Sequence, residues 1–453
     1  MFMIERLFKV RESGSTVKTE LLGGLTTFLT MAYIIFVNPA ILSTDFLGNP
    51  TGLSFQAALL ATCIAAAVAT IIMGLLANYP IAQAPGMGEN FFFVSVVMSL
   101  SAQGIADAWQ VALGIVFISG VIFLILSLFK FRKLLIDAVS PSLKNGIAVG
   151  IGFFIAFIGL QNAGIVISEH DVLKLNPMLF NLSRNLDPNT YKPDYLIFFT
   201  GLVIMAGLLA RRVKGAILIG IIIMTTESFL CGATSISGVF GFPEENAFFA
   251  MDLKQAFSLG MVSFIVVFLF MDLFDTMGTL IGVGEQAGFI KNNRLPRAER
   301  AMISDAAGTV VGSMTGTSTV TSFIESAVGV QFGARTGLAN MMTGILFLLA
   351  LMITPLASAI GNYAPITAPA LVIVGSLMVK NVRKIEWSDP SESIPAFLAM
   401  VGIPFTYSIH DGLAIGFISY PVIKILAGKG REVSWLIYVV GLLLLFRYIF
   451  VTI

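Results

Sequence analysis

What most constrains this chain is a succession of apolar runs long enough to cross a bilayer, interrupted at a few places by carboxylates. Of its 453 residues, 57% are hydrophobic and 12% charged, and the mean hydropathy is +0.91. A soluble chain carries about 25% charged residues, so too little polar side chain remains here to cover a water-facing surface. In lipid the backbone must satisfy its own hydrogen bonds, which leaves helices or a closed barrel. The runs do not alternate apolar with polar residues, so helices are predicted. A net charge of +1 gives no footprint for nucleic acid. Cys63 and Cys231, far apart in sequence, read as small packing residues rather than a disulfide. His170 and His410 cannot by themselves make a histidine-based metal site, and no cofactor is expected. The N-terminal stretch has no short apolar core with a cleavage site and is not a signal peptide. Residues 3–10 suit a small amphipathic helix on the membrane surface.

The first run, 21–42, ends or kinks at Asn38-Pro39. The third begins YPIAQAPGMGENFFF, where Pro80, Pro85, Gly86 and Gly88 forbid a regular helix before about residue 88. Run 339–360 reads as one span, and two shorter helices meet at the IHDG sequence around His410. Lys and Arg cluster at 130–133, 211–214, 291–300 and 380–384. With the N-terminus inside, all four clusters fall on the cytoplasmic side, as the positive-inside rule requires. The last run, 433–453, is either an extra span or a helix lying on the membrane.

Three carboxylates stand inside otherwise apolar sequence, Asp272, Asp275 and Glu325. Charge at such positions is expensive in lipid and is seldom placed there without a use. Asp272 and Asp275 share one helix face; the bland alternative is that one of them caps or pairs with a neighbour. Asp305 is either a structural partner of nearby hydroxyls or part of the same chemistry, and Glu89 is expected to face water. The segment GTSTVTSFIESAVGV is too polar and too rich in Gly, Ser and Thr for an ordinary span. It corresponds in place and kind to APGMGENFFF, each being a broken third segment of a half. Seven segments per half is odd, so the halves have opposite topology, the inverted repeat of secondary transporters with a site near the midplane. The β-branched run at 319–321 suits a short strand able to pair with 82–87. Two half-helices would aim unsatisfied N–H groups at that point. Asn90 adds a donor and an acceptor, and the carboxylates add acceptors. Phe91, Phe92, Phe93 and Phe323 offer aromatic walls. Such a rim fits a planar heterocycle with N–H and C=O groups.

These stretches, with TTFLTMAYIIFVNP, FDTMGTLIGV and TSTVTSFIESAVGVQFGARTGL, make the chain similar to the nucleobase:cation symporters, most closely the azaguanine-type purine permeases. The resemblance covers nearly the whole chain. It implies an all-helical polytopic membrane protein of fourteen segments in two inverted repeats of seven. A core domain would comprise 21–130 and 257–362, a gate domain 131–256 and 363–453, after a cytoplasmic stretch at 1–20. It also implies that the third and tenth segments are broken, with short strands that hold the substrate.

Carried over residue by residue, the resemblance places the base on Asp275, before Gly278, and on Glu325, with Asn90, Phe91, Ser322, Phe323 and Thr27 around it. Asp272, Asp275, Asp305 and Glu325 are the candidates for proton coupling. Pro85, Gly86, Gly88 and Gly278 are structural. Unlike the uracil and xanthine branches, the chain has Asp rather than Glu at 275, which leaves room for a larger ring. The expectation is import of adenine, guanine or hypoxanthine across the plasma membrane by proton symport, Na⁺ being the other possible cation. The core would rock or ride as an elevator against the gate, with a homodimer formed through the gate. An enzyme is not expected. The alternatives are a uracil/xanthine or sulfate-type transporter of the same fold, or a channel. A site for a divalent anion should be basic, and this one is acidic.

Overall fold

The computed structural model describes residues 2–128, 139–169, 172–176, 194–236, 238–290 and 295–450. His170, the cluster at 130–133 and Lys291 lie outside them. Seven helical runs among the described residues, Val17–Ser43 counted as one, are long and apolar enough to cross a membrane, and other helices are apolar but shorter. The first half contains α1 (Phe2–Phe8), α2 (Val17–Met31), α3 (Ile34–Ser43), α4 (Phe55–Ile72), β1 (Gln83–Pro85), α5 (Met87–Ala102), α6 (Ala108–Leu128) and α7 (Pro141–Asn162). A small hairpin, β2 (Val166–Glu169) with β3 (Val172–Leu175), precedes α8 (Asp194–Ala210) and α9 (Ala216–Leu230).

The second half contains α10 (Val262–Gln286), α11 (Ala298–Thr315), β4 (Val320–Ser322), α12 (Ser326–Phe332), α13 (Leu338–Ala350), α14 (Thr354–Gly361), α15 (Ala364–Met378), α16 (Pro390–Phe405), α17 (Ile409–Leu426) and α18 (Trp435–Phe450). Helix starts are capped locally: Ser54 accepts the Ala57 amide at 3.2 Å and Ser140 that of Leu143 at 3.1 Å.

The centre is where β1 and β4 meet. They pair antiparallel, Gln83 opposite Ser322, Ala84 opposite Thr321 and Pro85 opposite Val320. Each strand feeds directly into a helix, α5 after β1 and α12 after β4. Pro85 cannot donate to a helix, and Gly86 stays extended, at φ −72° and ψ 134°, before α5 begins. The strands are three residues long and wholly buried, so their polar backbone must be paired inside the protein. Gly86 N–H donates to Thr319 O at 3.0 Å and Phe323 N–H to Ala82 O at 2.9 Å, which extends the ladder at both ends.

Several helix ends share one face of the molecule. The Arg297 guanidinium lies over the Tyr79 ring, 4.5 Å from its centre, and Phe289, just beyond α10, stacks on the same ring. Asn78 accepts from Gly337 N–H at 2.7 Å and donates to Phe8 O. The Glu20 carboxylate accepts from the amides of Arg335 and Thr336. Lys214 lies over Phe332. This is the basic end below.

Around the centre, helices cross on small residues, which bring backbones together where lipid supplies no hydrophobic drive. At the crossing of α7 and α15, a Cβ on Gly375 would stand 2.4 Å from Gly152 O, and one on Gly152 2.8 Å from Gly375 O.

Three sequence expectations are corrected. The first run breaks at Ala32–Tyr33, not at Asn38-Pro39, and Pro39 sits inside α3. The break frees Tyr33 to reach across to Glu325. Run 339–360 is two helices, because Met352 O takes its hydrogen bond from Gly241 N–H and Pro355 starts α14. His410 is no connector residue. It lies in the first turn of α17, buried against Phe92 and Phe264.

Candidate substrate site

Two polar groups of residues converge on the strand crossing. The inner group surrounds Asp305 of α11. Its Oδ1 accepts from Gln83 Nε2 at 2.6 Å and Ser322 Oγ at 3.0 Å, and its Oδ2 from Thr276 Oγ1 at 2.5 Å. Asp272 of α10 accepts from Thr309 Oγ1 at 2.8 Å on one oxygen; the other, Oδ1, is buried without a donor. Thr309 also bonds Val320 in both directions, donating to its carbonyl and accepting from its amide at 3.2 Å. Both aspartates are fully buried. The inner group therefore ties α10 and α11 to β1 and β4.

The outer group is reachable. Asp275, one turn after Asp272 on α10, is exposed, and Glu325, at the start of α12, is partly so. Thr321 Oγ1 donates to Asp275 at 3.0 Å, and Tyr33 OH donates to Glu325 Oε1 at 2.9 Å. Gly278 borders open space, with no atom within 4 Å of where its Cβ would stand. Exposure continues along α10 through Ile281 to Glu285 and Gln286. The crevice that holds Asp275 thus runs toward the basic end. Among the described residues, no lysine, arginine or histidine forms an ion pair with Asp275, Glu325 or Glu89. Such a rim offers acceptors and no cation, which suits a neutral ligand rich in N–H donors and not an anion.

Not every expected residue joins this rim. Asn90 is wholly buried and faces the loop before β4, accepting a hydrogen bond from Ser318 Oγ; its Nδ2 has no partner. Thr27 is buried against α12, its hydroxyl 2.1 Å from where a Cβ on Gly329 would stand. Phe323 is buried between Ser322 and Glu325, and Phe91 belongs to a ring cluster farther along α5. Ser322 points to the inner group.

Glu89 does not face water, as the sequence suggested, but is 3% exposed. The first turn of α5 is covered by β4. The Glu89 carboxyl and the Thr321 methyl crowd the same side of Gly86, 2.2 and 2.4 Å from its absent Cβ. That brings a third carboxyl beside the hydroxyl that serves Asp275. Gln83, Thr276, Thr321 and Tyr33 were also not singled out from sequence. Their neutral polar side chains in apolar surroundings were the available signal.

The model of the family described as Permease family (Xan_ur_permease) matches residues 18–415. The adenine permease AdeP of Escherichia coli is 39% identical over 99% of this chain and 96% of its own. The guanine/hypoxanthine permease PbuO of Bacillus subtilis is 41% identical over 96% of this chain and 98% of its own. Among solved structures, the transmembrane domain of the cyanobacterial bicarbonate transporter BicA superposes with a TM-score of 0.61, covering 88% of this chain and 97% of that one. At 15% identity this likeness is one of fold. The resemblance carried by APGMGENFFF and FDTMGTLIGV is borne out: the chain belongs to the permease family, among relatives described as adenine and guanine/hypoxanthine permeases, and is a multi-pass membrane transporter rather than an enzyme.

Proposed function

We propose that the protein imports purine nucleobases with a coupled proton, binding the base at Asp275 and Glu325. The observation that carries this reading is the pair of reachable carboxylates beside the strand crossing, with no cation paired to them among the described residues. Ring and exocyclic N–H groups of adenine, guanine or hypoxanthine would donate to them, and Asn90, Phe91, Ser322, Phe323 and Thr27 would shape the surroundings. The names of the E. coli and B. subtilis relatives support the purine class. Asp272 supports the proton half. Its bare Oδ1 is buried near Asp305, and a proton held between the two would supply the missing bond. Moving one charge through 100 mV is worth about 2.3 kcal/mol, enough for roughly 50-fold accumulation.

In this reading the chain has fourteen segments in two inverted repeats. The core, 21–130 with 257–362, rocks or slides against the gate, and the basic end is cytoplasmic in the plasma membrane. Two copies would pair through the gate. Uptake of labelled adenine, guanine, hypoxanthine and uracil into proteoliposomes under an imposed pH or Na⁺ gradient tests it. Purine uptake that follows the pH gradient and is lost in Asp275→Asn and Glu325→Gln supports the proposal. Uptake of uracil or sulfate alone, or full activity in both variants, overturns it.

A further inference from the structure

On the side away from the basic end, a cavity of about 400 Å³ opens between the core and gate helices. Its walls come from α3 and the loop after it, α5, the end of α7 and the start of α15. Among the described residues, no lysine or arginine lines it. The one carboxylate among the described lining residues, Asp45, is already engaged: it accepts from the amides of Leu47 and Asn49 and from the Asn49 side chain, at 2.8, 2.7 and 3.0 Å. What remains is a neutral, amide-rich wall of Gln161, Asn162 and Asn362. Gln161 Oε1 is buried there without a hydrogen-bond donor. Two aromatic rings, Phe46 and Phe91, also line it.

Those rings begin a closed stack. Phe46 lies 5.9 Å from Phe91 and 5.2 Å from Phe154 of α7, and Phe91 lies 6.1 Å from Phe154. Tyr407, between α16 and α17, meets Phe154 edge-on at 5.9 Å. Phe46 and Phe91 belong to the proposed core, Phe154 and Tyr407 to the proposed gate. Phe91 is one turn along α5 from Met87, the start of the half-helix at the strand crossing. The cluster thus joins the cavity wall to the helix that starts at the strand crossing. Tyr407 is held at φ 57°, a left-handed backbone that a bulky residue rarely adopts.

We infer that the cavity is an arrival site for a neutral planar heterocycle, and that the four rings are the door between it and the central site. The ligand class rests on the proposed purine transport; the door does not. An unpaired acceptor at Gln161 and exposed amides can bond the edge of a base, while Phe46 and Phe91 offer faces on which it can stack. The neutral wall favours uncharged bases over phosphorylated relatives.

Impermeant maleimide applied from the side opposite the basic end tests both parts, in a Cys231→Ser background where the remaining Cys63 is buried. Ser43→Cys, in the cavity wall, should react, and Gly278→Cys, beyond the door, should not. Adding Phe46→Ala and Tyr407→Ala should expose Gly278→Cys. Adenine at ten times its cavity Kd should slow the Ser43→Cys reaction about tenfold, and should do so equally when Asp275→Asn has disabled the central site. Reaction of Gly278→Cys with all rings in place overturns the door. Protection that vanishes with Asp275→Asn overturns the arrival site. Wild-type purine uptake separately reads the transport proposal, so its failure cannot be confused with either.

Discussion

Two places in the molecule gather carboxyl groups, and they do it differently. Near the C-terminus, Lys424 is 2% exposed and sits between Glu392 at 2.8 Å and Glu432 at 3.1 Å. Tyr420 OH adds a bond to Glu392 at 3.0 Å, and Lys429 pairs with Asp389 at 2.7 Å. Every one of these acids has a cation. At the strand crossing, Asp272, Asp275, Asp305, Glu89 and Glu325 gather with hydroxyls and one amide, and no cation is paired with them among the described residues. A neutralised acid is finished business and holds helices together. An acid left with neutral donors retains capacity to bind something more.

The sharpest way to break this contrast is to mutate both places and measure two properties. Asp275→Asn should abolish purine uptake while leaving the melting temperature of the purified protein nearly unchanged. Lys424→Met should do the reverse in kind. Losing one partner of a buried pair costs about 3–5 kcal/mol, and with Glu392 partly exposed we expect about 2–3 kcal/mol, read as a lower melting temperature. If Asp275→Asn destabilises as much as Lys424→Met, the distinction between structural and available acids fails.

A second test sits inside the acid cluster. Asp305→Asn keeps the size but turns one oxygen into a donor, facing either Gln83 and Ser322 at Oδ1 or Thr276 at Oδ2, all of which donate to the aspartate. Leaving such buried groups mismatched costs about 1–3 kcal/mol, so a moderate loss of stability together with lost uptake is expected. Unchanged stability would put Asp305 with the available acids instead.

Gly86→Ala sharpens the geometry. Its methyl would collide with the Glu89 carboxyl and the Thr321 methyl, and overpacking of this kind costs about 1–3 kcal/mol. Uptake should fall with KM raised, because Glu89 must move relative to Asp275. Normal kinetics would remove Glu89 from the rim.

The smallest effect belongs to Asp389, on the surface at the start of α16. The Lys429 ammonium, hydrogen bonded to it, holds its carboxyl well below the usual carboxylate range, helped by Ser391. A depressed folded value means that the stabilisation is complete above the unfolded pKa of about 3.9 and is lost as pH falls toward the folded one. Amide exchange at the start of α16 should therefore quicken only in strong acid, and Asp389→Asn should show no such acid step.

Much of this architecture was legible in the sequence because lipid leaves few options. Pro85 and Gly86 located the start of α5, and the β-branched residues at 319–321 located β4 and its partner. What was not legible depended on three-dimensional crossing. Nothing local distinguishes Glu89 at a water-filled mouth from Glu89 under a strand. The break at Ala32–Tyr33 contains neither Pro nor Gly, and a proline seven residues on drew the prediction to the wrong turn. The split between α13 and α14 depends on Gly241, a hundred residues earlier in the chain, taking the carbonyl of Met352.

The pairing of β1 with β4 also dictates an order of assembly. Until Val320 has been synthesised, Pro85 and its neighbours have no partner, and their bare backbone cannot rest against lipid. A ribosome working at roughly 5–20 residues per second needs on the order of ten seconds or more to deliver it. During that time the third segment must wait in water or in the insertion machinery, half made. Strands so far apart in the chain therefore pair only after both have been made.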